Sequence, residues 1–143
     1  MNLTKTLLTL LICLLPISVS AETFTCSAES EDGRNLLNVF TREDNGFSAT
    51  ISVFAPHWDE RQTWEEWFFI ENEAGVKNTH VFENEYSIAL TAHDSRNLTV
   101  HMIDLEDLGY VTMSVWGGIA VRKDSNGDDR NKMSYQGSCI LQE

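Results

Sequence analysis

From Glu22 onward the apolar residues of this chain recur at every second position, the period of a strand and not of a helix. Phe24, Cys26 and Ala28 share one face of a first strand. Ser30–Arg34 (SEDGR) follows with an Asp-Gly hairpin signal, and a second strand covers Asn35–Arg42. Glu43–Gly46 (EDNG) is the next turn. The clearest alternation comes after it. Phe47, Ala49, Ile51, Val53 and Ala55 point one way while Ser48, Thr50 and Ser52 point the other, the pattern of a half-buried antiparallel strand. Phe54 interrupts the polar side.

After a polar connection, Pro56–Gln62, the stretch Thr63–Glu71 (TWEEWFFIE) can be read in two ways. As a helix it opens on a capping box, Thr63 to Glu66, and aligns Trp64, Trp67, Phe68 and Glu71. As a strand it puts Trp64, Glu66, Phe68 and Ile70 on one face and Glu65, Trp67, Phe69 and Glu71 on the other. Its aromatic content favours the strand. Short strands then follow at Val76–Phe82, Tyr86–His93, Asn97–Asp104 and Gly109–Trp116. Ile88, Leu90 and Ala92 form the apolar side of one of them. Leu98, Val100 and Met102 form that of the next, which puts His101 with the polar residues. Gly117-Gly118 suggests a bulge or bend. Ile119–Lys123 leads to a loop at Asp124–Asn131, and Met133–Leu141 is the last strand.

About eight to ten short strands separated by turns predict an all-β fold, a small antiparallel meander barrel or sandwich. The cysteines sharpen this. Cys13 lies in the leader described below, which leaves Cys26 in the first strand and Cys139 in the last. An even pair in an oxidising compartment predicts a disulfide, and a meander whose ends meet would bring the two together. A reactive dithiol is the competing reading, but there is no Cys-x-x-Cys and no adjacent histidine to lower a thiol pKa. In architecture the chain resembles the small one-disulfide barrels that bacteria export, and no motif in it specifies a family.

Met1–Ala21 reads as a cleaved secretory signal peptide: Lys5 is the positive end, Leu7–Leu15 the apolar run, and Val19-Ser20-Ala21 the cleavage site. The run is too short to span a bilayer, which needs about 20 residues. A lipoprotein signal at Cys13 is disfavoured by the bulky Ile12 before it. The expected mature chain is a single β domain, residues 22–143, periplasmic or extracellular, with no stable membrane insertion. The net charge of the whole chain is −12, and losing Lys5 makes it one unit more negative. Such a surface repels nucleic acid and anionic lipid and attracts a basic protein, although plain solubility would also account for it.

The strongest functional signal is the aromatic and acidic block Trp58–Glu71. On the strand reading, Trp67 and Phe69 are rimmed by Glu65 and Glu71 and lie beside Phe54 of the preceding strand. With Trp58, these residues form the candidate binding surface, because exposed aromatics inside a polar rim mark interaction sites. The competing reading is a second small core under a loop or helix. No catalytic, cofactor or metal site is expected. His57, His80, His93 and His101 lack metal-ligand spacing, and His93 and His101 fall on polar faces. Asp124–Asn131 (DSNGDDRN) opens like a calcium loop, but Gly127 precedes Asp128 and the twelfth position is Tyr135. There is no Gly-x-Ser-x-Gly elbow and no phosphate-binding glycine loop.

The expected role is therefore an exported, acidic, non-enzymatic binding protein, of the inhibitor or immunity type, whose partner is a basic secreted or cell-envelope protein. The alternative is a β-barrel that holds a small ligand or saccharide in its mouth.

Overall fold

The computed structural model describes residues 21–70, 78–116 and 131–143. Nearly all of the expected signal peptide therefore lies outside the described residues, as do Glu71, Val76, Gly117-Gly118, Ile119–Lys123 and most of the Asp124–Asn131 loop. The described residues form nine antiparallel strands: β1 (Thr23–Glu29), β2 (Asn35–Glu43), β3 (Gly46–Phe54), β4 (Gln62–Phe69), β5 (Asn78–Glu83), β6 (Ser87–His93), β7 (Leu98–Asp104), β8 (Gly109–Val115) and β9 (Lys132–Gln142). They build one sheet in the order β4-β3-β2-β1-β9-β8-β7-β6-β5, curled into a nearly closed barrel. Of the two all-β expectations, the barrel is the one observed, and the described part of the ambiguous stretch, Thr63–Phe69, is strand.

Local chemistry sets the turns. Gly33 takes a φ of 82° in the β1–β2 loop, a left-handed conformation that costs glycine little. The later hairpins share a different device. Asn84, Asp94 and Asp104 each accept from the amide two residues on, Tyr86, Arg96 and Glu106, at 2.7–2.8 Å. An Asn or Asp side chain that bonds forward in this way mimics a backbone turn.

The chain makes two meanders, β1–β4 and β5–β9, joined where β1 pairs with β9. Cys26 stands directly opposite Cys139 in that ladder, and the two sulfurs are bonded at 1.99 Å across a sequence separation of 113. Two residues away, Gly137 faces Ala28. A Cβ at Gly137 would lie 1.8 Å from the Ser27 carbonyl oxygen, so no larger residue fits this close approach.

Phe24, Phe40, Phe47, Phe68, Ile88, Leu90, Ile103 and Tyr110 are fully buried between the walls. The β3 alternation predicted its inner face correctly. In β7 it did not: Thr99, His101 and Ile103 face inward, and His101 is only 2% exposed. Leu98, Val100 and Met102 are turned outward. Pairing decides the matter, because the buried Ile88, Leu90 and Ala92 of β6 stand opposite Ile103, His101 and Thr99. Directly paired residues share a face, and a slip of one residue would invert the whole strand.

The core accepts His101 because polar partners surround it. Its Nδ1 lies 2.8 Å from the Tyr110 hydroxyl and 3.0 Å from Thr112 Oγ1. Asn38 Nδ2 donates to the same tyrosine oxygen at 2.8 Å, and Asn38 Oδ1 accepts from the Ser52 amide at 3.2 Å. Thr112 gives its proton to the Val100 carbonyl at 2.8 Å, so its oxygen can only accept from the ring. A ring proton on Nδ1 would satisfy that contact. Nε2 has no hydrogen-bond partner among the described residues. Burial pushes the His101 pKa down to about 3, so the ring is neutral at physiological pH.

One mouth of the barrel is plugged by charge. Glu22, Arg42 and Glu83 continue the inward faces of β1, β2 and β5. The Arg42 guanidinium donates to Glu83 at 2.6 and 2.9 Å and to Glu22 at 2.6 Å. It also sits 4.8 Å above the Phe47 ring. Bonding to Arg42 holds the Glu83 carboxyl below its ordinary range. Beside this mouth the ends of the sheet meet, where the Phe69 amide donates to Thr79 Oγ1 at 3.1 Å.

Candidate functional site

The expected binding residues split into two groups. Trp67 and Phe69 lie together on the outer face of β4, their rings stacked at 6.3 Å with an interplanar angle of 11°. They are 50% and 39% exposed, and among the described residues no second core covers them. Glu65, two residues before Trp67 on the same face, accepts from Thr50 at 3.1 Å. Phe54 is not their neighbour. Trp67 stands opposite Ser48, whereas Phe54 is six positions further along β3, about 20 Å away at the usual strand rise. There Phe54 carries the Arg61 guanidinium 5.8 Å from its ring. Trp58 lies in the β3–β4 connection at that same end, half-buried, with its ring 6.0 Å from His57. The antiparallel hairpin explains the split: Phe54 comes at the end of β3, and Trp67 at the end of the strand that runs back.

What does rim the stack is the β2–β3 turn. Glu43, Asp44, Asn45, Phe47, Trp67 and Phe69 line an open groove of about 220 Å³. The Ser48 hydroxyl donates to Glu43 at 2.9 Å, which holds this carboxylate beside the residue that faces Trp67. Two acids next to two stacked rings suit a guanidinium or ammonium group. The rings offer a cation–π surface and the carboxylates offer charge. Glu43 and Asp44 were readable only as turn residues, because their role depends on a register that local sequence does not contain.

A second apolar surface also escaped the sequence reading. Phe82, Ala89, Met102 and Val111 stand in one direct row across β5–β8 on the outer face. Phe82, Met102 and Val111 are exposed. Beside the row, the His80 ring stacks on Phe82 at 6.0 Å and on His93 at 5.9 Å. The available signal was that both faces of β7 and β8 carry apolar residues.

The four histidines do not converge. His101 is sealed in the core, His57 is in a loop, and His80 and His93 are on the outer wall. Among the described residues no group of three or more His, Cys, Asp or Glu side chains is arranged to hold a metal ion, and no helix is long and apolar enough to cross a membrane. Comparison with family models, curated proteins and solved structures gave no match for this chain.

Proposed function

We propose that this protein is an exported, non-enzymatic binding protein that engages a basic protein, in the manner of an inhibitor or immunity-type partner. The observation that carries the reading is the open groove in which the stacked Trp67 and Phe69 meet Glu43 and Asp44. A partner's Arg or Lys side chain would lie against the rings and pair with the acids. The net charge of −12 would steer a cationic partner toward the groove and speed encounter. The Cys26–Cys139 disulfide suits an oxidising compartment, as export requires. A ligand-holding barrel has less in its favour, because large side chains fill the described interior.

The test is capture with the oxidised protein as bait at low and high salt, beside Trp67→Ala. The reading expects one basic protein, retained at low salt and reduced by salt and by the substitution. Capture that is indifferent to both would refute it.

A further inference from the structure

The barrel is not fully closed, and its gap has a direction. Along the inner face of β4, Phe68 is 0% exposed while Trp64, one alternation beyond Glu66, is 44% exposed. Among the described residues, the wall beside β4 is therefore present near Phe69 and missing toward Gln62. Backbone polarity tells which groups face the gap. The Phe69 amide points away from β3, to Thr79, and the Ile70 amide points back to the Asn45 carbonyl at 3.0 Å. The β3–β4 register is unbroken, so Thr63, Glu65 and Trp67 share the orientation of Phe69. Their N–H and C=O groups form a free ladder edge among the described residues.

Trp64 on the inner face and Trp67 on the outer face flank this edge. An unpaired edge of this kind is a template for one more strand. The occupant that fits is basic. Glu65 lies on the edge strand itself, Asp59 and Glu60 come before it with Arg61, which is turned to Asn35 and Phe54, in between, and Glu43 and Asp44 flank its far end. A second copy would set acid against acid.

We propose that an extended, lysine- or arginine-rich segment of the partner adds to the outer edge of β4 as a further strand. Its main chain would bond to Thr63, Glu65 and Trp67, and one of its basic side chains would enter the Trp67–Glu43 groove. This deepens the binding-protein reading and rests on it.

The probe is a peptide of about ten residues alternating Lys with Val, with a Glu/Val peptide as control. The expected result is saturable binding of the lysine peptide, weakened about tenfold by raised salt. Amide exchange should slow at Thr63, Glu65 and Trp67. Glu65→Pro removes an outward N–H but no bond to β3, a position where edge strands tolerate proline, and it should abolish binding. Glu65→Gln keeps the N–H and should retain most of it. No binding at low salt, binding without slowed exchange at those amides, or undiminished binding by Glu65→Pro each overturns the edge assignment. If Glu65→Pro binds normally while Trp67→Ala does not, the groove reading stands and only the added strand falls. Self-association of the protein that Glu65→Pro abolishes would make the occupant a second copy and overturn the basic-segment assignment. Exchange on the unmodified protein decides the matter even if the proline variant fails to fold.

Discussion

Mild acid should destabilise this protein through one side chain, His101. The imidazole is 2% exposed, its Nδ1 is committed to Tyr110 and Thr112, and its folded-state pKa is about 3 against 6.5 unperturbed. Because the folded value is the lower one, the unfolded chain takes up the proton first. Stability from this site is complete above pH 6.5 and is lost as the pH falls from 6.5 toward 3. Each pH unit in that window costs about 1.4 kcal/mol, so the loss by pH 5 is about 2 kcal/mol. The perturbation that isolates it is His101→Gln, which removes the titration but keeps an amide donor for Tyr110 and Thr112. The assay is urea unfolding followed by tryptophan fluorescence at a series of pH values. The variant should begin less stable and then show a flatter profile, by about 2 kcal/mol between pH 6.5 and pH 5. Parallel profiles for the two proteins would refute the claim that His101 is buried and neutral.

Three further outcomes follow from the architecture. Replacing Cys26 and Cys139 together by Ala frees a loop with a sequence separation of 113, and in the chain-entropy account urea unfolding should show a loss of about 4–5 kcal/mol. Gly137→Ala should cost about 3 kcal/mol or more by the same measurement, since its methyl group would meet the Ser27 carbonyl. Arg42→Ala should cost only about 1 kcal/mol, because the Glu22–Arg42–Glu83 cluster is partly solvated. The depressed Glu83 carboxyl makes that contribution present above the ordinary pKa of 4.5 and lost as the pH falls below it, so the wild-type advantage should shrink in acid.

How much the sequence revealed depended on whether one face of a strand is purely apolar. In β3 it is, and Phe47, Ala49 and Ile51 were placed correctly. The turns were equally legible, because Asp-Gly and Asn-Gly chemistry acts locally. The terminal disulfide followed from two cysteines at the two ends of a meander. In β7 both faces carry apolar groups, so the phase depended on pairing with β6 and on the hydrogen bonds that make a buried histidine tolerable. The same blindness affected the candidate binding surface. Trp67 and Phe69 were visible as a pair because they are two residues apart on one strand. Their distance from Phe54 and their proximity to Glu43 and Asp44 are properties of the hairpin register. The outer edge of β4 is less legible still, since it is set by where the sheet of described strands ends.

The most direct test of the binding reading is the affinity of the captured basic partner for wild-type protein and for Trp67→Ala, by calorimetry at low and high salt. An exposed stacked tryptophan at the centre of a binding face should behave as a hot spot, so Trp67→Ala should cost about 2 kcal/mol or more. Raised salt should weaken the wild-type complex as well. An affinity that survives high salt and is unchanged by Trp67→Ala would contradict both the steering by charge and the anchoring role of the aromatic face.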